Sequence, residues 1–156
     1  MKAANLRVKE VLESFGIDFE IRLLDDAVRT ARLAAEALGC EVGQIANSLI
    51  FRDVSNDQAV LVMCAGDHRV DLAKVAELTG ITLGRADADF VRAQTGFAIG
   101  GVPPVAHQNA LRCLLDESLQ RFSQVWAAAG TPESIFCMTP DQLQTITGGD
   151  WFELTE

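Results

Sequence analysis

The spacing of apolar residues changes repeatedly along this chain of 156 residues, and this change limits the folds that are open to it. Near the start, apolar residues recur every three or four positions, as on one face of a helix. They are Leu6, Val8, Val11, Leu12 and Phe15, and Gly16 can end this helix in a left-handed conformation. Residues 17–24 then alternate, as in a strand. The two spacings together predict a domain of the α/β or α+β class.

Two short apolar runs separated by turn-forming residues predict a β-hairpin further along the chain. The runs are residues 48–51 and 59–64, and residues 53–57 (Asp-Val-Ser-Asn-Asp) form the turn between them. Helices are predicted at 31–38 after Thr30, at 71–78 before Gly80, at 87–94 before Thr95-Gly96, and from Thr139-Pro140-Asp141 to Gly148-Gly149. Further strands are predicted near 81–83, 110–115, 124–128 and 134–137. We therefore expect an α+β fold: a compact single domain over residues 1–156, with a mixed β-sheet and several surrounding helices.

The charge balance restricts the partners. There are 13 Lys+Arg against 22 Asp+Glu, so the formal net charge is −9, and no run of basic residues exists. Proteins that grip long nucleic acids need such a basic surface, so we expect no DNA partner, whereas contact with one short end of an RNA remains open. No apolar run approaches the ~20 residues of a membrane span, and the polar first residues do not resemble a secretory signal. We expect no membrane partner and a cytoplasmic location.

Common catalytic and metal-binding patterns are missing from the sequence. The four cysteines (Cys40, Cys64, Cys113 and Cys137) form no CxxC pair, and there are two histidines, so we expect no metal, no cofactor and reduced thiols that pack as small apolar groups. There is no GxSxG, P-loop, GxGxxG or HExxH motif either.

Residues 97–105 are the most informative stretch. The sequence Phe-Ala-Ile-Gly-Gly-Val-Pro-Pro-Val cannot form a regular helix, because its glycines permit unusual backbone angles and its prolines lack amide donors. One interpretation is a tight turn between strands. The other is a rigid loop whose backbone N–H groups face a ligand carbonyl or oxyanion.

Several motifs, in order, resemble the YbaK/prolyl-tRNA synthetase-associated family of aminoacyl-tRNA editing domains, across roughly residues 1–156. The specific ones are Gln44-Ile-Ala-Asn-Ser-Leu-Ile-Phe51 and Thr95-Gly-Phe-Ala-Ile-Gly-Gly-Val-Pro-Pro104. Weaker ones are Thr30-Ala31 with Leu38-Gly39-Cys40, Val60-Leu61-Val62, Asp71-Leu72 with Leu78-Thr79-Gly80, Leu115-Asp116-Glu117-Ser118, Ala128-Ala129-Gly130 and Met138-Thr139-Pro140.

The resemblance implies a trans-editing deacylase that hydrolyses an amino acid wrongly attached to tRNA, most often tRNA(Pro). Its partners would be the acceptor end of an aminoacyl-tRNA and an aminoacyl-tRNA synthetase. Family members use neither a metal nor a covalent nucleophile: water attacks an ester that is already activated, backbone N–H groups of the glycine loop polarise its carbonyl, and a ribose hydroxyl of the substrate assists. The pocket excludes the larger, cognate amino acid by size.

One position departs from the family pattern. The family usually has Lys after the strand's Ala, whereas here Ala46 is followed by Asn47. Asn can still form hydrogen bonds but carries no charge and is shorter. Three outcomes stay open: Asn47 positions a different substrate, editing is weakened, or catalysis is lost while binding persists. The last is a second function hypothesis, a binding module for tRNA, a small amino-acid-like ligand or a synthetase.

The resemblance gives the other candidate residues their roles. Gly100 and Gly101 would belong to the catalytic loop, with Gly101 as the carbonyl donor. Val102 and Pro103 would form the pocket wall, and Pro104 would belong to the substrate-binding set. Asp116 would orient a pocket group or the water, or would cap a short helix. His107 would donate a hydrogen bond or act as a base, or would be a loop histidine. Thr30 would cap a helix and line the pocket.

Ser48 also belongs to the substrate-binding set. By strand alternation it should share a face with Ala46, with Asn47 on the other face. We expect one of these two sets to line the pocket, and the resemblance favours Asn47.

Overall fold

The helices follow the predicted starts and stops closely. The computed structural model describes residues 1–25 and 30–156. In these residues the α-helices are α1 (Ala3–Ser14), α2 (Ala31–Leu38), α3 (Leu72–Thr79), α4 (Ala88–Thr95) and α5 (Pro140–Thr147). Thr30 Oγ1 accepts a hydrogen bond from the N–H of Leu33, and Gly39 ends α2 in a left-handed conformation, as expected. No helix in the described part of the chain is long and apolar enough to cross a membrane.

The strands form two sheets. They are β1 (Ile21–Leu23), β2 (Ala46–Asp53), β3 (Ala59–Ala65), β4 (Leu83–Gly84), β5 (Arg112–Asp116), β6 (Val125–Ala128), β7 (Ser134–Met138) and β8 (Asp150–Phe152). One sheet has the order β4-β2-β3-β5-β8 and is mixed, since β3, β5 and β8 run parallel and the other pairs are antiparallel. The other is antiparallel, in the order β1-β7-β6. The predicted α+β class, mixed sheet and β2–β3 hairpin are confirmed.

Two strand predictions needed correction. The strand expected over 17–24 is limited to Ile21–Leu23, where it pairs with β7 at the edge of the smaller sheet. The short strand β8 was not predicted at all. It follows the glycine pair that ends α5. Only three residues, Asp150–Phe152, pair with β5, so the strand is too short to show a clear alternation of apolar residues. Neither strand is long enough for alternation to define its limits.

The central strand β3 separates two apolar clusters. Its residues Leu61, Met63 and Ala65 face the cluster shared with α1, β6 and β7, whereas its other face packs towards α3. A parallel bridge between Ile45, just before β2, and Trp126 of β6 links the two sheets. Both residues of this bridge line a cavity, together with other residues of β2 and β6.

Candidate functional site

The cavity has a volume of about 270 Å³ and lies where β2, β6, β7, the start of α2 and the glycine-rich loop meet. Its walls come from Thr30, Ala31, Ala34, Ile45, Ala46, Asn47, Ser48, Leu49, Ile99, Gly100, Val102, Trp126, Ala127, Ala128, Pro132, Ser134 and Ile135. None of these lining residues, all in the described part of the chain, carries a charge. Five predicted site residues meet here: Thr30, Asn47, Ser48, Gly100 and Val102.

The strand β2 presents its edge to the cavity. Asn47 is paired with Cys64 and Ser48 with Met63 on the β3 side, so their side chains lie on opposite faces. On its other edge, β2 pairs with β4 at Arg52 and Asp53 only. Among the described residues, the rest of that edge has no partner strand. The expectation that only one of the two sets lines the pocket is therefore wrong, since residues 46–49 all border the cavity.

Thr30 combines the two roles that were considered for it. Its hydroxyl oxygen accepts the N–H of Leu33 at 3.1 Å and so caps α2. The same residue lines the cavity together with Ala31 and Ala34 of the first turn. Because an accepting hydroxyl can still donate its own hydrogen, Thr30 can also contact a ligand.

The two glycines of the loop have different structural roles. Gly100 lines the cavity with φ of +92°, a backbone angle that favours glycine. Gly101 does not line it: its N–H donates to the carbonyl of Ala98 at 3.0 Å. A Cβ on Gly101 would come within 2.8 Å of Thr131 Cα. The role of carbonyl donor expected for Gly101 is therefore contradicted, because its amide hydrogen already bonds within a turn. Glycine is needed here because the backbone of Thr131 leaves no space for a side chain.

Behind the loop, His107 holds the backbone of the proline pair. Its Nε2 lies 2.6 Å from the carbonyl oxygen of Pro103, so this nitrogen carries the hydrogen and donates it. Burial lowers the pKa of His107, and the bond to Pro103 opposes that shift only in part. None of Pro103, Pro104 and His107 lines the cavity, so the structure does not place them in contact with a substrate there. They lie behind the loop instead. Val102 is 3% exposed and does form wall.

Asp116 lies outside this cavity. Its carboxylate is 1% exposed and accepts hydrogen bonds from the N–H of Ala65 at 3.0 Å and of Ser118 at 2.9 Å. It caps the short 3₁₀ helix Glu117–Arg121 and anchors the end of β3. The structure thus favours the capping interpretation over a role in orienting water at the cavity.

The cysteines are free thiols, as expected. Burial raises the pKa of Cys64, where the Asp116 carboxylate adds to the effect, and that of Cys113, in each case to about 12. Burial also raises the pKa of Cys40 and of Cys137. All four thiols therefore stay protonated near neutral pH, and a thiolate nucleophile is not available.

A buried polar cluster supports the cavity from below, and the sequence analysis did not find it. The side-chain amide of Asn5 donates to Ser134 Oγ and to the carbonyl of Ala129, each at 2.8 Å. Ser134 Oγ also lies 2.6 Å from Thr131 Oγ1, beneath Gly101. The available signal was Asn5 itself, a polar residue on the same helix stripe as Val8 and Leu12. No local pattern marked Ser134 or Pro132.

Comparison with known proteins places the chain in a family. The model of the aminoacyl-tRNA editing domain matches residues 25–146. An uncharacterized protein of Bacillus subtilis, YwhH, is 37% identical over 118 residues, which cover 76% of this chain and 74% of YwhH. The proline–tRNA ligase of Lactobacillus acidophilus is 26% identical over 140 residues, or 86% of this chain but 24% of the ligase.

The fold gives the same answer. A crystal structure of a proposed trans-editing enzyme for prolyl-tRNA synthetase superimposes with a TM-score of 0.93 at 42% identity, and the match covers 100% of this chain and 99% of that one. The matched family model spans most of the chain, including every residue that lines the cavity. The chain therefore belongs to the aminoacyl-tRNA editing domain family.

Proposed function

We propose that this chain is a trans-acting deacylase that hydrolyses the ester between an amino acid and a mischarged tRNA, with tRNA(Pro) as the carrier. The observation that carries the proposal is the neutral cavity bordered by both the Gly100 loop and the open edge of β2. The likeness to the Lactobacillus ligase and to the proposed trans-editing enzyme supports the choice of tRNA(Pro). Residues 1–156 would act as one editing domain, in translation and hence in the cytoplasm.

The loop supplies the electrostatic part of this proposal. The N–H groups of Gly100 and Val102 have no hydrogen-bond partner among the described residues, and both residues line the cavity. We assign them, in place of Gly101, as donors to the ester carbonyl, whose oxygen gains negative charge as water attacks. Preorganised backbone donors of this kind lower the barrier without needing a charged side chain.

The proton transfers must come from the substrate and water. The described residues of the cavity wall include no carboxylate and no histidine, so the proposal uses no general base from them. Water adds to the carbonyl carbon, the bond from that carbon to the ribose oxygen breaks, and the ribose oxygen takes up a proton. The neighbouring ribose hydroxyl relays this proton, and the products are the free amino acid and the tRNA.

The cavity wall also supports a proposal for the class of amino acid. Ile99, Val102 and Ile135 are apolar wall residues, and none of the wall residues that the structure describes can form an ion pair with a charged side chain. The cavity volume of about 270 Å³ would have to hold the aminoacyl group together with part of the terminal nucleoside, which favours small side chains. The substrates would be small, uncharged amino acids, and Thr30, Asn47 and Ser48 would position the ester and its terminal adenosine.

The binding module remains the second candidate, because Asn47 leaves the cavity without the cation that the family pattern has. The test is a panel of tRNAs charged with small and large amino acids, followed for deacylation by the wild type and by Asn47→Lys. Hydrolysis by the wild type, faster for small amino acids, supports the deacylase. Activity in Asn47→Lys alone supports the binding module, and inactivity of both variants rejects the deacylase.

A further inference from the structure

We propose that Arg22 binds a backbone phosphate of the RNA 3′ end and so positions the terminal aminoacyl group in the cavity. The inference rests on the proposed function and deepens it. It assigns a residue outside the cavity wall, on an edge strand, to recognition of the phosphate that precedes the terminal nucleoside.

The register of the smaller sheet places Arg22 beside the cavity. Arg22 is the partner of Ile135 on β7, which in turn is the partner of Ala128 on β6. Paired residues of neighbouring strands share a face, so these three side chains form one row across the sheet. Ile135 and Ala128 line the cavity. Arg22 is therefore about 5 Å from a wall residue, one strand spacing, and lies at the outer edge of the cavity face.

The neighbouring residue confirms which way β1 faces. Ile21 is paired with the buried Phe136 and packs on the main apolar cluster. Alternation then directs Arg22 to the opposite face, where it is exposed. A guanidinium at this position is free to approach a ligand that enters the cavity from solvent.

The ion pairs of the protein leave Arg22 among the cations without a carboxylate partner in the described ranges, and its place beside the cavity distinguishes it from the others. Five of the cations are held in ion pairs among the described residues: Lys2 with Glu133, Arg52 with Asp57, Arg69 with Glu156, Lys74 with Glu153 and Arg121 with Asp67. Arg22 has no such pair within the described ranges. A chain of net charge −9 repels RNA overall, so a local cation is needed where the RNA end enters.

The chemistry favours a phosphate as the occupant. The wall of the cavity is neutral and suits the aminoacyl ester and the nucleoside, whereas the phosphate attached to that nucleoside must remain outside it. A guanidinium binds two phosphate oxygens with parallel hydrogen bonds. Arg22 would thus supply at the rim the positive charge that Asn47 cannot supply in the wall.

Two other exposed arginines provide matched controls. Arg32 is on α2, but it is about 200° around the helix from the lining residue Ala34 and so faces away from the cavity. Arg112 begins β5 beside Val60, whereas the cavity end of β3 is opposite Ala46. Each control removes one exposed positive charge without removing the proposed contact.

The test compares Arg22→Gln, Arg32→Gln and Arg112→Gln in deacylation across a series of KCl concentrations. We expect Arg22→Gln to raise KM about tenfold at low salt with little change in kcat. One lost phosphate contact should also reduce the slope of log(kcat/KM) against log[KCl] by about 0.7–1, and Arg22→Lys should restore most of the slope. The two controls should behave like the wild type. Equal behaviour of all three Gln variants overturns the proposal.

A binding measurement separates this proposal from the proposed function. The probe is an acceptor-stem RNA that carries no amino acid on its 3′ end and has a fluorophore on its 5′ end. Fluorescence anisotropy measures its binding to the wild type and to the same variants. If the wild type hydrolyses nothing but loses RNA affinity specifically in Arg22→Gln, the deacylase fails and the role of Arg22 stands. Absence of wild-type binding, or an equal loss in all three variants, overturns the role of Arg22.

Discussion

Two clefts lined by described residues differ in character, and each contains some of the predicted site residues. The cavity beside β2 is neutral, about 270 Å³, and bordered by the Gly100 loop. The other cleft is more open, about 630 Å³, and every residue found to line it is polar: His68, Asp116, Glu117, Ser118, Gln120, Arg121, Glu153, Thr155 and Glu156. By charge and volume alone, the second cleft looks more like a catalytic site.

The hydrogen bonds reverse that impression. In the polar cleft Asp116 already accepts two backbone N–H groups, and Arg121 binds Asp67 through both terminal nitrogens at 2.9 and 3.2 Å. That pairing lowers the pKa of Asp67. In the neutral cavity, by contrast, the N–H groups of Gly100 and Val102 have no partner among the described residues. The cleft in which ester hydrolysis is proposed is distinguished by unpartnered N–H groups of the glycine-rich loop and not by charge; the polar cleft has an unpartnered side-chain hydroxyl, that of Ser118, among the described residues.

The largest effect that we expect in this comparison comes from Gly101→Ala. The new Cβ would be 2.8 Å from Thr131 Cα and 3.0 Å from the carbonyl oxygen of Gly130, which are backbone atoms that cannot rotate away. We expect a loss of about 1–3 kcal/mol in stability from overpacking. Displacement of the Gly100 donor should lower kcat by about 10²–10³-fold. Thermal unfolding and deacylation kinetics at a temperature where the variant is folded measure the two effects.

Gly16→Ala and Gly100→Ala separate crowding from backbone strain. Both glycines have positive φ, and an added Cβ has open space at Gly16 and 3.9 Å to the nearest atom at Gly100. Strain alone should therefore destabilise both variants similarly, whereas only Gly100→Ala should slow deacylation. Full activity of both Gly100→Ala and Gly101→Ala would remove the loop from the mechanism.

A smaller effect on activity is expected in the polar cleft. Asp116→Ala leaves the buried N–H groups of Ala65 and Ser118 without an acceptor, which should cost about 1–3 kcal/mol of stability for each unpaired group. Urea unfolding measures that cost. We expect kcat of the folded variant to stay within about threefold of the wild type, because Asp116 does not border the neutral cavity. A hundredfold fall in kcat would return Asp116 to the catalytic set.

The difference between the clefts also explains what the sequence could predict. Helix limits such as Thr30 and Gly39 were predictable because capping depends on neighbours a few residues away. The family motifs assigned Asn47 and Gly100 to one site, and both residues line the neutral cavity. They did not reveal that the N–H of Gly101 donates to the carbonyl of Ala98 or that Asp116 accepts two backbone N–H groups, since these contacts depend on backbone direction and tertiary structure. The same limit applies to Arg22, whose place depends on strand register.

The smallest expected effect concerns His107, which supports the loop of the neutral cavity. Burial lowers its pKa below the ordinary value of 6.5, so the unfolded chain binds a proton at a pH where the folded protein does not. Stability from this group is complete above pH 6.5 and falls as the pH drops from 6.5 through the lowered pKa. The wild type should therefore lose stability between pH 7.5 and pH 5.5.

His107→Gln isolates this contribution, because a Gln amide can still donate to the carbonyl of Pro103 but does not titrate. The difference in unfolding free energy between pH 7.5 and pH 5.5, from urea titrations, should be smaller in the variant than in the wild type. Contributions from carboxylates cancel in this comparison, since they are common to both proteins. An identical pH dependence would mean that His107 is protonated as readily in the folded loop as in the unfolded chain. The neutral cavity would then depend on packing around Gly101, and not on a buried neutral imidazole, to hold its donors in place.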